Sequence, residues 1–316
     1  MKICNLLLIA ILTSFSTAIT AGSGLPDYKA DKIAPHTWVI HGPVELPSPE
    51  NKGFMNNPAF TITQKSVVVF DPGSSKQAGE MVLRQISKLT NKPVTHVFNS
   101  HIHGDHWLGN QAIKNTYPGV KIYAHPEMIK LARAGEAESW VKAMEQATEG
   151  ATKGTEAVIP GEALKDKQEV IVDGMVFRTY LTDQAHTKTD AMIEIVGDSV
   201  IVLGDNVLNQ RIGRMDDGSF RGNMQACELA KASPAKIFVP GHGPTGDVTS
   251  TLSFCNYLNI LYTEVGIQAE EGLSDFEMKP LILKKLTAFE KWYGFENELG
   301  KHISLAMLEY ETASFE

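Results

Sequence analysis

Two hydrophobic periods alternate along this chain. Short, nearly continuous apolar runs at residues 37–41, 59–63 and 66–70 read as strands, and the last ends at Asp71-Pro72-Gly73, where proline and glycine stop a ladder. Over 76–89 the period lengthens, with Ala78, Met81, Val82, Gln85, Ile86 and Leu89 recurring at helical spacing. The alternation repeats with a strand at 94–100, a helix running to 112 and a strand at 121–125. Residues 126–149 read as helix, and 150–167 as a loop rich in glycine, threonine and lysine. A second set of strands is expected at 169–172, 175–181, 191–196 and 199–203, then a helix near 223–231 and a strand at 236–239.

From 248 onward the pattern is helical, with Leu252, Cys255, Leu258, Leu261, Val265 and Ala269 on one face. Ser274 and Glu277 form a capping-box start that Pro280 is expected to interrupt, and a last helix is expected over 298–310. Strands alternating with helices argue for α/β layering, and no short-period repeat competes. The reading is therefore a leader over 1–21, one α/β domain over 22–247, and a helical extension over 248–316 packed on it.

The leader rests on its own pattern. Lys2 precedes an apolar run from Ile3 to Leu12, and small residues around Ser16, Ala18 and Ala21 offer cleavage sites. That is the layout of a secretory signal peptide, too short for a membrane span, and it predicts a periplasmic or secreted protein with no membrane attachment after cleavage. Loss of Lys2 leaves 28 basic against 37 acidic residues, a net charge of -9, which disfavours nucleic acid and anionic membranes as partners. A small-molecule substrate is the partner expected. Cleavage also removes Cys4; Cys227 and Cys255 remain, for which an oxidising compartment permits a disulfide without two cysteines implying one.

The chemistry is concentrated in SHIHGDHWLGN, where His101, His103, Asp105 and His106 fall within six residues. Imidazole and carboxylate suit Zn²⁺, and four ligands this close crowd one tetrahedral shell, which hints at a second ion. The cluster begins where the 94–100 strand ends. His186 in DQAHTKTD, Asp205 in VLGDNV and His242 in IFVPGHGPTG likewise lie just past expected strand ends. Loops at the carboxyl ends of strands meet along one edge, so all seven side chains can converge there. No GxSxG or other serine–histidine–aspartate pattern competes.

In order, spacing and context these motifs resemble the metallo-β-lactamase superfamily over about residues 33–247. The resemblance implies a four-layer αββα sandwich with a metal site along one edge of two central sheets. It assigns His101, His103 and His186 to one ion, Asp105, His106 and His242 to another, and Asp205 to a bridge between them. Asp71 in VVVFDPG matches a carboxylate that supports the metal loop from behind. SPENKGFMNNPAF, AHTKTD and GFENELGKHIS look most similar to the zinc metallohydrolases of quinoprotein relay systems. Asp205 stands where secreted β-lactamases usually carry cysteine or serine, which counts against β-lactam cleavage as the main role.

The activity so implied is hydrolysis of a small ester, thioester, lactone or amide. Two zinc ions per chain would hold a shared hydroxide, with Asp105 as the catalytic carboxylate that orients or deprotonates the water. A mononuclear iron sulfur dioxygenase of the same fold and a non-catalytic metal-binding accessory of a periplasmic redox system are the competing classes. His36, His41, His96, His125 and His302 are expected to be ordinary hydrogen-bonded residues, and Trp107 to serve packing. Arg211, Arg214 and Arg221 are expected on a solvated loop, paired with Asp216 and Asp217, with anion recognition as the lesser alternative. Residues 43–57, with Phe54 and Met55, read equally as a flap over the site or as a plain connection.

Overall fold

A computed structural model describes residues 24–314, so the expected leader lies outside the described residues. The strands are β1 (Ala30–Lys32), β2 (Thr37–Ile40), β3 (Ala59–Ile62), β4 (Val67–Phe70), β5 (Val94–Phe98), β6 (Lys121–Ala124) and β7 (Glu162–Ala163), followed by β8 (Glu169–Val172), β9 (Met175–Leu181), β10 (Ala191–Ile195), β11 (Val200–Gly204) and β12 (Ile237–Pro240). The helices are α1 (Lys76–Ser87), α2 (Gly104–Trp107), α3 (Asn110–Thr116), α4 (Pro126–Leu131), α5 (Ala137–Ala147), α6 (Phe220–Ala232), α7 (Val248–Glu270), α8 (Asp275–Leu283) and α9 (Phe295–Ser314).

Strands β1 to β7 form the first sheet in sequence order, and the second runs β12-β11-β10-β9-β8. Pairing is antiparallel from β1 to β4 and parallel from β4 to β7; in the second sheet only β11 and β12 are parallel. Val68, Phe70 and Phe98 from one sheet pack against Phe177, Ile193, Val202 and Val239 from the other. On its outer face the first sheet is covered by Met81, Val82 and Ile86 of α1 and Ile113 of α3. Ile201, Leu203 and Phe238 on the outer face of the second sheet meet Ala230, Leu258 and Leu261 of α6 and α7. The result is the αββα order of layers; β4 and β11 are buried on both faces, which is why their sequences run apolar without alternation, whereas β8 alternates exposed and buried positions.

The C-terminal helices are continuous with this core. Met278, Ile282, Leu299 and Ile303 join the cluster that α7 makes with the second sheet. Of the apolar face expected on α7, Cys255, Leu258, Leu261 and Val265 are buried, Ala269 is partly so, and the Leu252 side chain lies outside those described. A disulfide joins Cys227 of α6 to Cys255 of α7.

Several local expectations change. The helix expected over 126–149 is broken at Gly135, whose φ of 116° is open to glycine and leaves α4 and α5 as separate pieces. The loop at 150–167 contains the short strand β7. Helix α8 runs through Pro280, because the bond it cannot donate would have gone to Phe276, a solvent-facing residue whose carbonyl water can satisfy. Helix α6 starts at Phe220, three residues early, because the Ser219 side chain accepts from Gly222 N–H and caps it.

The disulfide closes a separation of 28 residues between two helices of one layer. Cys227→Ala together with Cys255→Ala is expected to lower unfolding free energy by about 3–4 kcal/mol, from chain entropy alone. Denaturant titration of oxidised wild type against the double variant checks this, and an unchanged midpoint would show that α7 is held by packing only.

Candidate metal centre

The strand ends place the candidate ligands as the topology requires. β5 delivers His101 and His103, and the first turn of α2 carries Asp105 and His106. The β9–β10 connection holds His186, while Asp205 and His242 follow the parallel pair β11 and β12. All seven side chains are buried, and they fall into three groups that share members: His101, His103 and His186; His101, His106 and Asp205; Asp105, His106 and His242. Within each group the ligand atoms lie within 4.8 Å of one another.

Backbone contacts make this crowding possible. At Gly241 a Cβ would press into Asp205 Oδ1 and the Gly204 carbonyl, so the PGHG turn must be glycine for His242 and Asp205 to share the floor. Likewise a Cβ at Gly109 would strike the Pro72 carbonyl; its N–H instead donates to Gly73 O at 2.7 Å and ties the metal loop to the end of β4.

Behind the loop sits Asp71. Its carboxylate accepts from Ser100 N–H at 2.8 Å, from Ser100 Oγ–H at 2.7 Å and from His106 Nδ1–H at 2.9 Å. Ser100 Oγ, its proton committed to Asp71, accepts from His101 Nδ1–H at 2.9 Å. His103 Nε2–H donates to Asp217 at 3.1 Å, and His242 Nδ1–H to the Met55 carbonyl at 2.8 Å. Each of these partners fixes a tautomer and leaves the opposite ring nitrogen as a lone pair. For His101 that nitrogen, Nε2, is buried and has no partner. Asp71 has a φ of 46°, a left-handed conformation that aspartate tolerates better than most residues and that aims it at the loop.

At the other end, His106 Nε2 and His242 Nε2 lie 3.4 Å apart. Asp205 Oδ1 stands 3.1 Å from His106 Nε2, and Asp105 Oδ2 stands 3.1 Å from His242 Nε2. Lone pairs facing carboxylates in a buried space call for a positive charge, supplied by protons or by a metal. Burial opposes charge on His106, but Asp105, Asp205 and Asp71 outweigh it and raise its pKa well above the ordinary value. His242 is raised in the same way by Asp205 and Asp105, with Arg211 opposing. Burial also works against the charged forms of Asp105 and Asp205, yet the neighbouring imidazoles hold both carboxyls well below their usual range. Burial lowers His101 and takes His186 down to about 3, so these rings are neutral at physiological pH. The donor set fits divalent metal.

Asp190 holds the loop after His186, accepting from Thr187 N–H at 2.6 Å. The remaining expectations divide. Trp107 is buried and donates to Ile102 O, so it packs. His36, His41, His96, His125 and His302 all sit in ordinary hydrogen bonds. Arg214 pairs with Asp216 and Asp217 as expected. Arg211 departs from the solvated reading: it is 8% exposed, because its loop turns inward under Glu45 and Tyr293. Residues 43–57 are no loose flap at their base, since Asn57 donates to the Pro240 and Gly243 carbonyls, while Leu46, Pro47 and Met55 line the cavity.

The metal edge opens into a cavity of about 400 Å³. His103, Asp105, His186, Asp205 and His242 make its floor; Trp140 and Met144 of α5 form one wall, and Tyr293, Asn297 and Lys301 another. Sequence reasoning missed Ser100, Asp217 and Trp140 as parts of the site, and it singled out GFENELGKHIS, which carries Asn297 and Lys301 of the C-terminal wall, only as a family resemblance. Of the first three only Ser100 carried a signal, its position directly before the first histidine.

With this geometry in hand, the comparisons are consistent. The family model described as the metallo-beta-lactamase superfamily matches residues 53–242. No curated protein matches the sequence. Among solved structures, a metallo-beta-lactamase from Pontibacter korlensis aligns at 19% identity and a TM-score of 0.60, covering 74% of this chain and 99% of that one. VMB-1 aligns at 17% identity and a TM-score of 0.56, covering 73% and 95%. A double mutant of the sec-alkyl sulfatase PisA1 aligns at 16% identity and a TM-score of 0.69, covering 90% of this chain but only 50% of the sulfatase. At these identities the likeness is one of fold.

Asp71 is outside the ligand groups and yet orients two of their imidazoles, His106 directly and His101 through Ser100. Asp71→Asn keeps the shape while removing the charge that holds Ser100 and His106, and should weaken divalent-cation affinity by about 10–100-fold. Competition with a chromophoric chelator measures it, and wild-type affinity in the variant would reduce Asp71 to a backbone brace.

Proposed function

Since the chain belongs to the metallo-β-lactamase superfamily, we propose that it is an exported dinuclear zinc hydrolase of small esters, thioesters, lactones or amides. The observation that carries the reading is the overlap of the ligand groups: His101, His106 and Asp205 connect the cluster around His103 and His186 to the one around Asp105 and His242. Nitrogen and carboxylate donors without cysteine suit zinc. The leader pattern and the Cys227–Cys255 disulfide favour an oxidising compartment outside the cytosol.

Two divalent cations held there would lower the pKa of a shared water to about 7 and polarise the bond under attack. The residues of the chain do the rest. Asp105 lines the cavity as an ionised carboxylate beside His242, placed to orient the water and to accept its proton. Asp205 lies between the groups, where its negative charge offsets repulsion between two cations. Met55, Trp140 and Met144 border the floor with apolar surface that strengthens electrostatic interactions by excluding solvent.

The two groups should differ in their response to acid. His101 and His186 are held neutral, whereas metal must displace protons held by the raised His106 and His242. As pH falls, affinity at the Asp105/His106/His242 group should therefore drop first. Calorimetry of zinc binding in buffers of different ionisation enthalpy should show the greater proton release at this group; equal release by both events would remove the distinction.

The test of function joins metal content to turnover. Protein purified from the exported fraction without added metal should carry two zinc ions per chain. It should hydrolyse at least one class in a panel of esters, thioesters, lactones and amides, to which the alkyl-sulfatase neighbour adds a secondary alkyl sulfate. One iron with sulfur-dependent oxygen uptake would overturn it in favour of a dioxygenase. In Asp105→Asn with excess zinc, turnover should fall by roughly 10²–10⁴ while the His101/His103/His186 ion stays bound. Full activity once both metals are present would make Asp105 a ligand alone.

A further inference from the structure

The cavity floor has unlike ends. At the His103 end, Trp140 packs its ring 4.9 Å from the imidazole, and Ala143, Met144 and Ala147 of α5 continue an apolar wall. At the His242 end, Arg211 brings Nη1 to 3.2 Å from His242 Nδ1. Because that nitrogen's proton already goes to Met55 O, it offers the guanidinium no lone pair. Arg211 Nη1 donates to Glu45 O at 3.1 Å, Nη2 meets only the weak acceptor Met55 Sδ at 4.0 Å, and the side chain lies 6.0 Å from the Tyr293 ring centre. A guanidinium carries five N–H donors, so most remain uncommitted.

The other cations lining the cavity are compensated, Arg214 by Asp216 and Asp217, and Lys301 by Glu298 at 3.0 Å. Arg211 pairs with no carboxylate among the described residues. A buried, unpaired cation costs several kcal/mol unless an anion reaches it, and Arg matches carboxylates through two parallel hydrogen bonds. Glu45 and Tyr293, which close over Arg211, lie beyond the family-matched residues 53–242, whereas Arg211 itself lies within them.

We propose that Arg211 is the seat for a carboxylate on the substrate, whose apolar portion lies along Trp140 and Met144 with the reacting bond over the floor between. The position of the reacting bond rests on the hydrolase reading; the carboxylate seat does not.

Two ester substrates differing only in a terminal carboxylate or carboxamide test the seat. Wild type should prefer the acid by about 10- to 100-fold in kcat/KM, the range of a charge-assisted hydrogen bond. In Arg211→Gln the ratio should fall to about one, and in Arg211→Lys it should lie between. As a ratio on one preparation, it is insensitive to general loss of activity. An unchanged ratio in Arg211→Gln would overturn the proposal, as would a wild type that prefers the amide. If Arg211→Gln does not fold, the acid and amide hydrolysis products compared as inhibitors of wild type decide the matter, and equal inhibition overturns it. Should neither ester turn over, only the ester case of the hydrolase reading is lost, and calorimetric titration of the same two compounds still tests the seat, equal binding of acid and amide overturning it.

Discussion

One carboxylate organises the metal edge. Asp71 leaves the end of β4 in a left-handed conformation and accepts three hydrogen bonds from the segment that follows β5. Through Ser100 it sets the tautomer of His101, and directly it sets that of His106. Without it, two rings at the junction of the ligand groups are free to turn, and their lone pairs no longer converge. The parallel pairing of β4 with β5 places this carboxylate beside the loop, so the sheet register and the direction of two lone pairs are one constraint.

The Val67–Phe70 and Val200–Gly204 strands were legible because they are buried on both faces. The Glu169–Val172 and Met175–Leu181 strands match their expected bounds, and the other expected strands shift by a residue or two where ladders fray, while the short strands Ala30–Lys32 and Glu162–Ala163 were not expected. The metal edge was legible because its residues sit at strand ends in order, and the structure brings all seven side chains into shared groups. What stayed hidden depends on contacts distant in sequence. Nothing local marks Asp217 as the partner of His103, because that bond spans 114 residues. Arg211 reads as solvated beside Asp216 and Asp217 until the Glu45 carbonyl and Tyr293, remote in sequence, close over it. Gly135 stands within an otherwise helical composition, and only its positive φ reveals the break.

The cavity draws its floor and its walls from different parts of the fold. Its floor comes from strand-end loops within residues 53–242, the stretch that matches the family. Its walls come from α5, the 43–57 connection and the segment leading into α9. The floor is therefore fixed by β pairing, whereas the walls rest on helix packing, where side chains change at lower cost to the fold.

The ligands are also drawn from opposite halves of the sandwich. His103 follows a strand of the first sheet and His186 a strand of the second, with their ring nitrogens 3.0 Å apart. A cation shared by the two rings would act as a clasp across the layers, present only when the sheets have closed on each other. Its binding energy would then add to the stability of the whole sandwich, rising with the logarithm of free cation concentration. The availability of trace metal would then set how well the folded chain resists unfolding and the proteases that act on opened forms.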